Sequence, residues 1–161
     1  MTQSTAVPTF GQAVGEAQTA LRAVIVDVLQ QAGTTFERWV ALNTLATRGV
    51  AVARDELLRE LAHGLQTDTM TISDLLDRLA SEGLVGEADG VGPDASSLVE
   101  LTDQGRALHG ALRETVRRTS GALLDGLDPS DLEITIAVLR AVTERADVFR
   151  GRGARNRSGG K

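Results

Sequence analysis

The chain has 161 residues, with 22 Asp and Glu against 17 Lys and Arg, and no cysteine. Its length fits one domain with a substantial core, or one domain with added interface helices, and the lack of cysteine excludes disulfides, thiol nucleophiles and cysteine-based metal or redox sites. No apolar run approaches the length of a membrane span and the N-terminus lacks a signal-peptide pattern, so we expect a cytoplasmic protein.

The first half of the chain predicts two helices and a short strand. Residues 1–9 are expected to be disordered, and residues 10–33 to contain a helix whose apolar residues recur at helical spacing. Thr34 and Glu37 form a capping-box pattern for a second helix, which should close at Arg48-Gly49. The apolar run 50–52 is expected to be a short strand.

The next segment predicts two short helices joined by a tight turn. The first spans residues 53–63, with Leu57, Leu58 and Leu61 on one side, and the turn passes through Gly64 and Leu65. The second begins at Thr69, capped by Asp68 or by Thr69 itself, and ends at Gly83. Its apolar face consists of Ile72, Leu75, Leu76 and Leu79. Such a pair is a helix-turn-helix, whose second helix enters the DNA major groove.

A hairpin follows this helix pair. Residues 84–85 and 98–101 read as two short strands, and the segment between them is rich in Gly, Asp and Pro. The two helices could instead form a helical hairpin in an unrelated bundle. The β-hairpin that follows them favours a winged helix-turn-helix. The expected fold is therefore mainly α: a winged helix-turn-helix at residues 34–101 with a short β-hairpin wing.

The C-terminal part predicts two more helices. Thr102 caps a long helix reaching Leu124, and Asp128-Pro129 is a strong start for a helix that runs towards Phe149. Residues 10–33 and 102–150 carry more apolar surface than a small winged unit can cover, so we expect them to form a two-fold dimer. Two recognition helices would suit a palindromic duplex with half-sites about 34–36 Å apart. Residues 151–161 should be a disordered basic tail.

At this point the chain resembles the MarR family (multiple antibiotic resistance regulators). The resemblance lies in Asp77-Arg78-Leu79, Gly83-Leu84-Val85, Leu101-Thr102 followed by Gly105, and Leu127-Asp128-Pro129, and it extends from about Gln12 to Phe149. It implies a homodimer whose terminal helices form the interface, acting as a transcriptional regulator, often a repressor. Many members of the family release DNA when they bind a small, frequently phenolic, ligand.

The resemblance places the DNA-contacting side chains on the second helix and the wing tip. The candidates are Thr69, Thr71, Ser73, Asp74, Arg78, Asp94 and Ala95. Three positions depart from the family pattern: Asp74 stands where a basic or amide residue is usual, Gly86 where Arg is usual, and Asp94 and Ala95 where an Asp-x-Arg wing tip is usual. Arg78 could contact a phosphate, or pair with Asp74 or Glu82.

Charge counts support an alternative function. Residues 34–106 contain six Arg and thirteen Asp or Glu, a net charge of −7, whereas residues 145–161 have six basic residues and one acidic residue, a net charge of +5. Because DNA affinity comes largely from the neutralisation of phosphates by basic residues, the negative net charge of the winged unit disfavours DNA binding. The alternative to a DNA-binding regulator is therefore a winged-helix protein-interaction module.

The remaining candidate sites are few. Trp39 could wall a ligand pocket, although a lone Trp on an apolar helix face is more often core. His63 and His109 are single histidines on helices without a second ligand at metal spacing, and each is expected to be a surface or partly buried residue. We expect no enzyme activity, no catalytic or metal site and no cofactor.

Overall fold

The computed structural model describes residues 9–88 and 97–158, and the chain consists of two compact units, Met1–Ser120 and Gly121–Lys161. The described residues form six helices and three short strands. In chain order these are α1 (Phe10–Gln31), α2 (Phe36–Arg48), β1 (Val52–Ala53), α3 (Arg54–Leu65), α4 (Thr69–Ser81), β2 (Val85–Ala88), β3 (Leu98–Leu101), α5 (Asp103–Leu124) and α6 (Pro129–Ser158). The winged helix-turn-helix predicted from the sequence is confirmed.

The core of the first unit lies where the helical periodicity predicts it. The fully buried side chains of α4 are Ile72, Leu76 and Leu79, and those of α3 are Leu57 and Leu61. Leu58 and Leu75 complete these faces as partly buried residues packed on the same cluster. Burying such side chains contributes about 1.5–3 kcal/mol each, which fixes the two helices against each other and leaves the opposite face of α4 exposed.

The sheet has the strand order β1-β3-β2, with both pairs antiparallel. The first strand comes two residues later than expected, because Val52 pairs with Val99 and thereby buries its side chain, whereas Val50 stays outside the sheet and exposed. The second strand is also longer than predicted, since Glu87 and Ala88 continue the pairing towards the wing tip.

The ends of α1 and α4 follow the same geometry. Gly33 and Gly83 both have a positive φ and sit one position after the last cap residue. Beyond them, the amide of Thr34 donates to Leu29 (2.9 Å) and the amide of Leu84 donates to Leu79 (2.9 Å). These bonds satisfy the last helical carbonyls. The expected cap at Thr34 is therefore wrong: Thr34 closes α1, and the hydroxyl of Thr35 accepts the amide of Arg38 to start α2.

The turn of the helix-turn-helix also lies later than predicted. The helix α3 continues through Gly64 and Leu65 and stops at Gln66, which adopts a left-handed conformation with φ 56°. The reason is burial, since Leu65 packs against the core as part of the helix. Asp68 then caps α4, as expected.

The start of α5 is joined to the turn that follows α4. Thr102 caps α5 by accepting the amide of Gly105 (3.0 Å), and its hydroxyl donates to the carbonyl of Gly83 (2.6 Å). The amide of Thr102 donates to the carbonyl of Leu84 (3.1 Å). Two hydrogen bonds thus fix the end of the wing and the entry into α5 to the turn that ends the recognition helix.

The second unit consists mainly of α6, whose side chains up to Phe149 are mostly exposed. Ile134, Ile136, Val138, Leu139 and Val142 are all exposed, and so is Phe149 further along. The Asp128-Pro129 start is confirmed, since the carboxylate of Asp128 accepts the amide of Ser130 (2.8 Å). The backbone stays helical to Ser158, past the expected end near residue 150. The sequence permits this longer helix, because alanine and arginine favour helix and an interior glycine lowers helix stability by only about 1 kcal/mol.

Candidate nucleic-acid interface

The recognition helix α4 is started by its own side chains. Asp68 accepts the amide of Thr71 (2.8 Å) and also the Thr71 hydroxyl (2.9 Å). These hydrogen bonds to Thr71 hold the pKa of the Asp68 carboxyl below its usual range. The hydroxyl proton of Thr71 is therefore committed to Asp68, and only its oxygen lone pairs remain available to a partner.

The outer face of α4 is free of tertiary packing. Thr69, Thr71, Asp74 and Arg78 are exposed, as predicted. So is Met70, which is 75% exposed in the first turn and which the sequence reasoning did not single out. An apolar side chain at the N-terminal end of a recognition helix can contact a thymine methyl group. The position of Met70 next to Thr69 in the sequence would have been enough to make it a candidate.

Ser73 does not belong to this face. Its hydroxyl accepts a hydrogen bond from Nη2 of Arg54 (3.1 Å), and the residue is half-buried. Arg54 also pairs with Asp77 (2.8 Å) and with Glu87 of β2. The structure thus turns Ser73 inward, towards a contact between α3, α4 and the wing strand.

Arg78 forms neither of the two ion pairs considered from its sequence neighbours. Its Nε donates to the main-chain carbonyl of Asp74 (3.2 Å) instead of to a carboxylate. Glu82 is bound by both Nη atoms of Arg38, one at 2.7 Å, and this contact lowers the pKa of the Glu82 carboxyl. The Arg78 guanidinium therefore has no carboxylate partner within the described residues.

Most arginines of the winged unit are used within the chain. Arg48 pairs with Glu60 (2.6 Å) and Glu56 (3.1 Å), and Arg106 pairs with Asp103 (2.8 Å). With Arg38 and Arg54, four of the six arginines between residues 34 and 106 are engaged with carboxylates. Among the arginines of residues 34–88 and 97–106, only Arg59 and Arg78 form no ion pair and could meet phosphates without losing one.

Trp39 is half-buried and packs against the core and against His109. The two rings stack with centroids 5.4 Å apart and planes 11° from parallel. His109 is only 9% exposed, and its Nε2 lies 3.2 Å from Oδ1 of Asn43. Burial lowers the pKa of the His109 imidazole, and the positive charge of Arg113 adds to the effect.

His109 also lines a cavity of about 260 Å³ at the junction of α2, β3 and α5. Its wall combines apolar side chains with two arginines, one histidine and one glutamate, and Trp39 is not part of it. The lining consists of Leu45, Ala46, Gly49, Val50, Glu100, Leu101, Arg106, His109 and Arg113. A small molecule with an apolar body and an anionic group matches this lining.

No family model matches the sequence, but solved structures match its fold. The transcriptional regulator PA3341 superimposes with a TM-score of 0.71 at 26% identity, over 86% of this chain and 98% of that one. Wild-type MarR from E. coli, in its apo form, has a TM-score of 0.69 at 18% identity, with 84% and 97% covered. The chain has the MarR fold. A MarR family protein of Mycobacterium tuberculosis, Rv2887, solved with salicylic acid, has a TM-score of 0.65 at 21% identity, with 85% and 98% covered.

The MarR proteins that the chain matches are transcriptional regulators and not enzymes. On this MarR fold, Asp74 lies on the exposed face of α4 and Gly86 lies in β2. Asp94 and Ala95 lie outside the described residues. In residues 9–88 and 97–158 no helix is long and apolar enough to cross a membrane, and no group of His, Asp or Glu could hold a metal ion.

Proposed function

We propose that the chain is a homodimeric, cytoplasmic transcriptional regulator of MarR type that binds palindromic duplex DNA, acts as a repressor and is released by a small ligand. One observation carries the proposal: the outer face of α4, the second helix of the helix-turn-helix, packs against nothing in the described chain. A recognition helix presents such a face to the major groove.

The dimer is supported by the apolar surface that α6 leaves exposed. Between Leu132 and Val142 apolar residues point in several directions around the helix, and a helix that is apolar all round is normally buried. In α1, Phe10 and Leu21 are exposed as well. A second copy of the chain is the occupant that we propose for these faces, since isologous pairing buries the same patch twice.

On DNA, each exposed residue of α4 would have a distinct contact. Thr69 and Thr71 can bond base edges or phosphates, and Asp74 can accept a hydrogen bond only from a cytosine amino group or through water. Arg78 would contact a phosphate. Asp94 and Ala95 would lie at the minor groove.

A small phenolic-type effector is part of the proposal. The related Rv2887 was solved with salicylic acid, and the cavity beside His109 joins apolar walls to the guanidinium groups of Arg106 and Arg113. Trp39 would report on this ligand, because the Trp39 ring stacks on His109. Salicylate added to the protein should change the fluorescence of Trp39, the only Trp of the chain.

The alternative function is a protein-interaction module with weak or no DNA binding. The observation that favours it is the engagement of four arginines with carboxylates, on a unit whose net charge is −7. A titration of the dimer with duplex DNA at 50 and 200 mM salt separates the two functions. The regulator should bind duplex DNA in the micromolar range or tighter at low salt, with affinity that falls as salt rises. No binding at low salt would establish the interaction module.

The oligomeric state is tested by sedimentation at micromolar concentration. A dimer should be found, and its folding stability should decrease on dilution because folding and association are linked by mass action. A fully helical monomer at this concentration would contradict the homodimer.

A further inference from the structure

Glu87 occupies an unusual place for a carboxylate. In the antiparallel register, Glu87 lies opposite Val99, and Val99 lies opposite Val52 on its other side. Directly opposite residues share a face of the sheet. Val52 and Val99 are buried, so Glu87 lies on the core-facing side of β2. Its side chain is 38% exposed at the edge of the sheet, next to these buried valines. A carboxylate in this position is stabilised by a cationic partner.

Arg54 supplies that partner from the opposite edge of the sheet. It directly follows β1, and its amide donates to the carbonyl of Ser97 (2.8 Å), which precedes β3. Since β3 lies between β1 and β2, the side chain of Arg54 spans the sheet to reach Glu87. Its side chain is only 15% exposed, so the guanidinium is held in place by its surroundings, whereas the Asp77 and Glu87 side chains are 65% and 38% exposed.

The same guanidinium also binds the recognition helix. Its Nη2 donates to a carboxylate oxygen of Asp77 (2.8 Å) and to the hydroxyl of Ser73 (3.1 Å), whereas Nη1 contacts Glu87. One planar group therefore connects α4 to the wing strand β2. The fixed fork of arginine donors suits this task, which the single ammonium of lysine could fulfil only in part.

We propose that Arg54 is a positioning residue that holds the wing strand β2 against the recognition helix α4, so that the two elements offered to DNA move as one body. The strand β2 is an edge strand, hydrogen-bonded only to β3, and nothing else in the described chain pairs with its outer side. Val85, at the start of β2, packs in the same core cluster as the apolar face of α4. Further along, the polar links of β2 to α4 run through the turn at Gly83 and through Arg54. The consequence for DNA rests on the proposed function, whereas the coupling of wing and helix does not.

A simpler role would be for Arg54 to add positive charge near the phosphates. The two roles predict opposite results for Glu87→Gln. If Arg54 acts by charge alone, Arg54→Gln weakens DNA binding because it removes a positive charge. Glu87→Gln then tightens DNA binding because it removes a negative charge. If Arg54 positions the wing, both variants break the same link, and both loosen β2 and weaken DNA binding.

The test is hydrogen exchange of the full-length dimer without DNA, read at residues 84–88 and at α2. Both Arg54→Gln and Glu87→Gln should accelerate exchange at 84–88 by about tenfold, the effect of losing one charge-assisted hydrogen bond, while exchange at α2 stays unchanged. Arg54→Lys should give an intermediate rate. The double variant should be no faster than either single variant, since both remove the same link.

Matched controls come from the same unit. Arg59 is exposed on α3 and Glu37 is exposed on α2, and neither forms an ion pair within the described residues. Arg59→Gln and Glu37→Gln should therefore leave exchange at 84–88 at the wild-type rate. Unchanged exchange at 84–88 in Glu87→Gln would overturn the positioning role, and so would equal acceleration at 84–88 and α2, which marks a general loss of stability.

DNA titrations of the same variants complete the test. Weaker binding by Glu87→Gln supports positioning, and tighter binding overturns it. Should the wild-type protein fail to bind duplex DNA, the regulator function falls, but the exchange data still decide whether Arg54 couples the wing to the helix.

Discussion

Gly105 offers a sharp test of the packing between α5 and the wing. A Cβ atom built on Gly105 would lie 1.9 Å from the carbonyl oxygen of Leu84 and 3.3 Å from Cδ2 of Leu101. The first distance is far below any van der Waals contact. The obstacle is main chain, so it cannot rotate away, and Leu84 is also the acceptor for the amide of Thr102.

The expected cost of Gly105→Ala follows from these contacts. Forcing a methyl group into a packed site costs about 1–3 kcal/mol. The shift it requires also strains the hydrogen bond from Thr102, and a buried group left unsatisfied costs about 1–3 kcal/mol. We expect a loss of about 3 kcal/mol per chain in the free energy of unfolding. For a chain of this length that corresponds to a decrease in Tm of about 6–12 °C.

The assay is urea and thermal unfolding at one fixed protein concentration, because stability of a dimer depends on concentration. Gly110→Ala on the same helix is the matched control: it is exposed and has nothing within 4 Å of the added Cβ. This control should gain about 0.5–1 kcal/mol from helix propensity. Equal stability of the two alanine variants would refute the close approach of α5 to Leu84.

Three further predictions concern binding and pH. Asp94→Arg and Ala95→Arg should each tighten duplex binding and steepen its salt dependence, because a narrow minor groove attracts arginine; no change at low salt for either would mean that the wing does not meet DNA. Deleting residues 151–161 removes three Arg and one Lys and should lower the slope of log K against log salt by up to about 3.6 per chain, with sequence preference retained; an unchanged slope would exclude the tail from the interface. Burial lowers the pKa of folded His109 below its ordinary 6.5. The neutral His109 imidazole thus contributes fully to the free energy of unfolding above pH 6.5, and this contribution is lost as the pH falls through the lowered pKa. His109→Gln should flatten the decline of folding stability at acidic pH, measured by unfolding followed through Trp39 fluorescence. The same pH profile of stability in wild type and variant would refute this role of His109.

The helices could be predicted because their signals are local. The spacing of Ile72, Leu75, Leu76 and Leu79 fixes which face of α4 is buried, and Asp68 and Gly83 mark its ends. The errors occur where a tertiary contact decides between neighbouring residues. Thr34 and Thr35 are both good caps, and the hydrogen bond of Thr34 to Leu29 selects the second.

The candidate site could be predicted only in part, because its charges pair across long sequence separations. Helical periodicity puts Ser73 on the non-core side of α4, together with Thr69 and Asp74. The structure turns it towards Arg54, which stands 19 residues earlier in the chain. The pairing of Arg54 with Glu87 spans 33 residues. Only the strand register reveals why Glu87 needs it, and the register is set by packing of the whole sheet.

The same pairing changes what the net charge of the winged unit means for DNA. Glu82 is balanced by Arg38, so the field of this pair at the phosphates is that of a dipole and decays faster than the field of a free charge. Arg54 offsets one of the two negative charges of Asp77 and Glu87, which leaves a net charge of −1 on that cluster. The cost is that these arginines are no longer available for phosphate contacts. If Arg59 and Arg78 both contact phosphates, they supply two contacts per chain and four per proposed dimer, and the expected salt slope is about 3.6. A steeper slope would require basic residues outside the winged unit, and residues 145–161 are where the chain concentrates its positive charge.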